Sequence, residues 1–424
     1  MRSTNTRKAP LLAAGLAAAA LSTLTPAAAF TASTASDTST AFDTSMASAA
    51  SPAKDPLREY THQKLHWNRC DAKGPGTLQC AMLKVPLDYS DPGGKTIGLA
   101  ISRLKAGSAK RRHGVLLLNP GGPGAPGLQL PADPLLKFPA EVKRRYDLVG
   151  FDPRGARRSS PVSCGLTAEE QADHPYKAET VAKDLDRARA IAGKCRARAG
   201  EKLRHLTTRN SARDMDVIRA ALGERTISYL GISYGTYLGA VYMQLFPQRA
   251  DRIVLDSATD PTRIYRGMFQ DMAKAAEHAF TRWTAWTARR HTTYGLGDTP
   301  AKVRKTYWDL IARANRKPIP FAGQTLTGDG IRADNRTFFH VRKAAERIAG
   351  LKKAAKDKHP TPPGTPDQGR TPDDSYFSAA WSFMCADTRT WSHAPEQYRR
   401  EAVRDKARYP LYGDFAAAIT PCAF

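Results

Sequence analysis

Beyond its N-terminal stretch the sequence has no apolar run long enough to cross a bilayer, which takes about 20 residues, so no membrane-embedded segment is expected. It also lacks a Cys-x-x-Cys pair or any cysteine at metal-ligand spacing. That argues against a structural zinc site and a dithiol redox centre, and no metal or other cofactor is expected. Acidic side chains are in short supply. Asp and Glu number 40 against 65 Lys and Arg, for a formal net charge of +25. Such an excess raises nucleic-acid or anionic-surface binding as a class. Here the basic residues are scattered and form no stripe with interleaved aromatics, so specific nucleic-acid binding is not expected.

Cysteine is scarce, with six residues: Cys70, Cys80, Cys164, Cys195, Cys385 and Cys422. The even count suits three disulfides in an exported chain, without choosing among the connectivities. Export is what the N-terminus suggests. Arg2, Arg7 and Lys8 precede the apolar run "LLAAGLAAAALSTL", and Ala27-x-Ala29 offers a small-residue cleavage site, so 1–29 reads as a secretory signal peptide. The stretch 30–55 is built largely from Ala, Ser and Thr and cannot bury enough apolar surface to offset the entropy of ordering it. It reads as a linker or pro-segment.

The remainder is long enough for one large domain with a smaller inserted one. "TIGLAISRLKA" alternates as a strand does, "GVLLLNPGGPG" and "YDLVGFDPRG" are apolar runs that stop at turn signals, and "RTISYLGIS" and "RADRIVLDSATDP" add further strands. "SARDMDVIRAALG" puts Met215, Ile218, Ala221 and Leu222 on one helix face, with Gly223 as its stop. The repeated order of strand, turn and helix favours an α/β fold with a mostly parallel sheet over a sandwich. This core is placed at 56–261. From 262 to 372 the chain is helical and rich in Trp, Arg and Lys, as an inserted lid would be, with Trp283 and Trp286 read as lid packing. Residues 373–424 read as a return segment toward the core.

Gly231-Ile232-Ser233-Tyr234-Gly235 lies between an expected strand and the expected helix "YGTYLGAVYMQLFP". G-x-S-x-G in that context is a nucleophile elbow, a turn so tight that the residues two places either side of the serine must be small. Ser233 is therefore the candidate nucleophile. A serine that merely capped the helix would not need both glycines. Upstream, "NPGGPGAPG" from Asn119 to Gly127 follows an apolar strand. Acyl transfer at a serine needs two N–H donors for the negative oxygen of the tetrahedral intermediate, each worth about 10²-fold or more in rate. Tyr234, directly after the nucleophile, and Gly122, with Gly121 in reserve, are the candidates. Pro123 and Pro126 suit neither phosphate-binding loop pattern.

Taken together, "CAMLKVPLDYSDP", "LLLNPGGPG", "YDLVGFDPRGARRSSPVSC" and the long stretch from "ARDMDVIRAALG" to "IVLDSATDP" resemble the secreted tripeptidyl-aminopeptidase-like branch of the α/β-hydrolases. That branch lies in the same clan as the proline iminopeptidases. The resemblance is close from Leu65 to Pro261 and loose beyond. It implies an α/β-hydrolase fold with a helical lid, Ser233 as nucleophile, Gly122 and Tyr234 as the oxyanion hole, and a structural loop at Asp152, Arg154 and Gly155. It also implies local cysteine pairs, Cys70 with Cys80, Cys164 with Cys195 and Cys385 with Cys422, and a peptide substrate taken by its N-terminal end.

The chain departs from the family where the acid and base should be. In the family the acid follows a late strand in a segment like "GxxDxxTP" and the histidine sits at a Gly-His dipeptide near the end; neither is present here. The expectation is a chain without the family's last strands, and without a base a serine hydroxyl is a poor nucleophile at neutral pH. Within the chain, Asp256 is the available acid, and His340, His359 and His393 are the later histidines. Glu277 and Asp271 are candidates for holding a peptide ammonium, against the plainer reading as solvated charges. The leading expectation is a secreted serine hydrolase that releases short peptides through an acyl-enzyme on Ser233. The alternatives are an esterase or lipase, for which a less basic lid would be expected, and a non-catalytic exported remnant or binding protein.

Overall fold

The computed structural model describes residues 55–71, 76–172, 174–334, 336–356 and 373–424. The signal-peptide reading, nearly all of the linker stretch and His359 lie outside the described residues. Seven strands form the central sheet: β1 (Asn68–Arg69), β2 (Gln79–Pro86), β3 (Thr96–Leu104), β4 (Gly114–Asn119), β5 (Tyr146–Phe151), β6 (Ile227–Ile232) and β7 (Ala250–Asp256). Their order across the sheet is β1-β2-β3-β5-β4-β6-β7. The first three strands and the β3–β5 contact are antiparallel, and β5, β4, β6 and β7 run parallel.

The apolar patterns account for this arrangement. In β2, Ala81, Leu83 and Val85 are buried while Met82 and Lys84 face solvent, the period of two expected of an outer strand. In β4 and β5, Val115, Leu117, Leu118, Leu148, Val149 and Phe151 are nearly all inaccessible, as in a parallel strand covered on both faces. The helix Thr208–Ala221 starts at Thr207, whose side chain accepts from the Asn210 N–H at 3.1 Å. Met215 and Ile218 are buried in the sheet core, with Ala221 and Leu222 packed against it.

The region after Pro261 folds as helices Arg266–Ala288, Pro300–Arg316 and Val341–Ala354 around their own core of Phe280, Trp283, Tyr307 and Phe338. Trp283 is fully buried there and stacks on Phe280, whereas Trp286 sits under the Arg290 guanidinium. A small hairpin, β8 (Ile319–Phe321) with β9 (Gln324–Leu326), was not expected. Its turn is Ala322-Gly323, both at positive φ, a hairpin geometry that sequence signals through Asn-Gly or Asp-Gly more often than Ala-Gly.

The segment 373–424 is helical throughout its regular parts and bridges both cores. Ala380, Met384, Trp391 and Cys422 join the sheet core, and Leu411 joins the core around Phe280 and Trp283. It contributes no strand, which leaves β7 at the sheet edge with Val254 55% exposed. The cysteines are bonded Cys70–Cys80, Cys164–Cys195 and Cys385–Cys422.

Candidate active site

The chain leaves β4 for β5 on one side, and β6 lies on the other, so the connections diverge at the β4/β6 boundary. Open α/β sheets bind ligands at such a point, outside the carboxyl ends of the strands. The register brings those ends level: Asn119 pairs with Gly231, and Gly231 and Ile232 pair with Leu255 and Asp256. The glycine loop after β4 and Ser233 after β6 therefore emerge side by side.

Ser233 sits at φ 56° and ψ −122°, a conformation that L-residues rarely adopt, and is exposed. Its neighbours explain the two glycines. A Cβ on Gly231 would lie 2.3 Å from the Gly235 carbonyl oxygen, and one on Gly235 would lie 2.9 Å from that of Asn119. The turn is braced on all sides. The Ser233 N–H donates to the Asp256 carbonyl at 2.9 Å, the Tyr229 hydroxyl donates to the Gly235 carbonyl at 2.8 Å, and the Thr236 hydroxyl donates to the Ser233 carbonyl at 2.6 Å.

The two glycines proposed for the oxyanion hole are placed differently. The Gly121 N–H donates to Asn119 Oδ1 at 2.9 Å and is therefore occupied. Gly122 is exposed at the same mouth, and its N–H has no partner among the described residues. Tyr234 begins the helix Tyr234–Leu245, where an N–H has no intrahelical acceptor, and its N–H is likewise unpaired. Loop and elbow touch: a Cβ on Gly121 would meet the Ile232 carbonyl at 2.4 Å and the Tyr234 nitrogen at 3.1 Å. The far end of the loop is held by Asp152, which accepts from the Gly127 N–H at 2.9 Å and the Leu128 N–H at 3.3 Å. Burial raises the Asp152 pKa against those hydrogen bonds. Arg154 is fully buried on Asp214, at 2.6 and 2.8 Å, and also donates to the Leu87 and His205 carbonyls.

Behind the elbow lies a polar network that sequence reading missed. The Tyr234 hydroxyl is 2.5 Å from Thr208 Oγ1, which donates to Asp387 Oδ2 at 2.6 Å. The same carboxylate accepts from the Thr208 N–H at 2.7 Å and the Tyr265 hydroxyl at 2.7 Å. Burial pushes the Asp387 pKa up and holds the Tyr234 phenol well above its ordinary value. The participants are far apart in the chain and share no local pattern, so nothing short of a fold could have assembled them.

The remaining candidates do not converge on Ser233, whose hydroxyl has no hydrogen-bond partner among the described residues. Asp256 is exposed and its carboxylate accepts from the Ser257 hydroxyl at 3.0 Å. His393 Nδ1 is 2.8 Å from the Ala423 carbonyl, and His340 lies exposed before the helix Val341–Ala354. Glu277 is not a solvated charge: its Oε1 accepts from the Leu411 N–H at 2.6 Å and ties the helix Arg266–Ala288 to the segment 373–424. Asp271 forms an exposed pair with Arg263. Among the described residues no group of His, Cys, Asp or Glu could hold a metal ion, and no helix is long and apolar enough to cross a membrane.

A family model described as the alpha/beta hydrolase fold matches residues 114–308, which span β4 to the helix Pro300–Arg316 and include both the glycine loop and the elbow. The tripeptidyl aminopeptidase of Streptomyces coelicolor is 42% identical over 268 residues, covering 60% of this chain and 49% of that protein. The chain carries the α/β-hydrolase fold and, over the part that matches, is similar to that tripeptidyl aminopeptidase. The serine protease Hip1 of Mycobacterium tuberculosis is 38% identical over 263 residues, 59% of this chain and 50% of that protein. Carboxylesterase B of the same species is 36% identical over 213 residues, 46% of this chain and 40% of that protein. The chain spans about half the length of the first two of these curated relatives and less of the third.

Proposed function

We propose that this chain is a serine hydrolase acting on peptide N-termini, with Ser233 as nucleophile and the Gly122 and Tyr234 N–H groups as oxyanion hole. The observation that carries the reading is the elbow itself, a serine at positive φ set between two glycines where an added Cβ would clash, with Gly122 and Tyr234 each carrying an unpaired N–H among the described residues. In the reaction Ser233 Oγ bonds to the scissile carbonyl carbon, the carbonyl oxygen gains negative charge against the two donors, and the amine leaves with a proton. Water then releases the acyl group. The relatives' names favour a peptide over other acyl substrates, and the three disulfides favour export.

Among the described residues no histidine hydrogen-bonds to Ser233, so we propose that its acylation is slow and draws on no imidazole from those residues. The test is hydrolysis of a tripeptidyl p-nitroanilide, of the same compound with a blocked N-terminus, and of p-nitrophenyl acetate, each with Ser233→Ala as control. Preference for the free N-terminus over the blocked one supports the peptidase. Equal rates on both anilides with faster ester turnover favour an esterase, the chemistry that the carboxylesterase relative is named for.

A further inference from the structure

At the end of the sheet opposite Ser233, the fold gathers basic residues that are scattered in the sequence. β3 ends at Leu104, which pairs with Leu148, and β5 begins at Tyr146 opposite Gly114 of β4. The connection 105–113 and the helix Ala140–Arg145 meet there, with the Gly107 N–H on the Lys143 carbonyl at 3.0 Å and the Ser108 N–H on the Arg144 carbonyl at 3.2 Å. Lys105, Lys110, Arg111, Lys143, Arg144 and Arg145 are exposed on these two segments. The acidic groups around them are taken. Glu141 pairs with Arg144 and Arg145, and Asp147 and Glu224 both pair with Arg112. Lys105, Lys110, Arg111 and Lys143 form no ion pair among the described residues. The six residues of β4 hold this ridge about 20 Å from the elbow.

We propose that this end of the molecule docks on a bilayer surface rich in anionic lipid. The cations supply the attraction, since each Lys or Arg close to such a surface strengthens binding by about fivefold. What selects lipid over another polyanion is Leu135. It is 85% exposed on the loop that runs into the helix Ala140–Arg145, and the Asp133 carboxylate accepts from its N–H at 2.8 Å. A single exposed leucine is ordinary on a protein surface. Two residues from the exposed Lys137 and just ahead of a cationic helix, it supplies the apolar half of an interfacial contact. Nucleic acid and acidic polysaccharide present no apolar layer to receive it. Docked this way, the chain turns the carboxyl ends of β4 and β6, and Ser233 with them, away from the bilayer. The surface is separate from the elbow and does not depend on what Ser233 does.

The test is co-sedimentation of the disulfide-bonded chain with vesicles of phosphatidylcholine alone and of phosphatidylcholine mixed with phosphatidylglycerol, at physiological salt. One variant combines Lys105→Gln, Lys110→Gln, Arg111→Gln and Lys143→Gln. Because a chain of net charge +25 adheres to any anionic surface, a control removes four charges elsewhere, with Arg342→Gln, Lys343→Gln, Lys353→Gln and Lys356→Gln. All of these positions are exposed, and thermal unfolding confirms that the variants fold. Binding is expected only to the mixed vesicles. It should weaken by about 100-fold or more in the ridge variant, by less than about 10-fold in the control, and by about 5-fold with Leu135→Ser. Hydrogen exchange should slow at 109–112 and 134–138 on the vesicles and stay unchanged at 231–236. Equal loss in the ridge variant and the control, indifference to Leu135→Ser, or no binding to the mixed vesicles would overturn the proposal. So would binding to duplex DNA of equal strength and equal dependence on the ridge.

Discussion

The Ser233 N–H and the Asp256 carbonyl are 2.9 Å apart, so the elbow hangs on the end of the edge strand through the backbone of Asp256. The Asp256 carboxylate takes no part, being exposed and bonded only to the neighbouring Ser257 hydroxyl. Asp256→Asn should therefore change unfolding free energy by no more than about 0.5 kcal/mol and leave the reactivity of Ser233 unaltered. A tenfold loss of reactivity in a folded variant would make Asp256 the acid after all.

Gly231→Ala places a methyl group 2.3 Å from the backbone oxygen of Gly235, which no side-chain rotation can relieve. Overpacking of this kind costs about 1–3 kcal/mol or more, read from urea unfolding. The control is Gly193→Ala, within the helix Val181–Ala199, where an added Cβ meets nothing within 4 Å. It should stabilise by about 0.5–1 kcal/mol.

Asp387 accepts three hydrogen bonds, from Thr208 N–H, Thr208 Oγ1 and Tyr265 OH. Asparagine would turn one acceptor into a donor facing donors. Asp387→Asn is expected to destabilise by about 1–3 kcal/mol, and hydrogen exchange should speed up at Thr208 and at Thr236, whose N–H is bonded to the Ser233 carbonyl, before it does at β5. Uniform exchange across the sheet would mean that the network does not brace the elbow.

Acid sensitivity should reside partly in Asp374. Burial opposes its ionisation, but hydrogen bonds from the Ser163 hydroxyl at 2.6 Å, the Leu166 N–H at 2.8 Å and the Ser378 hydroxyl at 3.0 Å outweigh it and hold the pKa below the ordinary 3.8. A carboxylate depressed in the folded state contributes stability that is present above its unfolded pKa and is lost as pH falls through the folded one. Between neutral pH and pH 3, the unfolding free energy of the parent should fall more steeply than that of Asp374→Asn. Parallel slopes would remove Asp374 from the account.

Much of this architecture was legible because it is local. The strand before Ser233, the helix after it, and the flanking glycines form one contiguous pattern, and the register of β4 against β6 then brings the glycine loop to the elbow. The sequence reading put Gly122 ahead of Gly121, but the bond from the Gly121 N–H to Asn119 Oδ1 that occupies Gly121 was not legible in it. Nor was Glu277, whose partner Leu411 lies in another segment. The β8–β9 hairpin escaped because three-residue strands carry too little alternation to register as a period.

The most direct test of the central claim is covalent labelling of the folded chain with a fluorophosphonate, followed by intact mass and peptide mapping from pH 6 to 9. The account predicts one adduct, on Ser233, absent in Ser233→Ala. Its rate should climb with pH, with no inflection near 6.5, the ordinary value of an imidazole base. No adduct on Ser233, or one that survives Ser233→Ala, would contradict the assignment of the nucleophile. An inflection near 6.5 would mean that a histidine does serve Ser233, against the proposal that none of the described ones does.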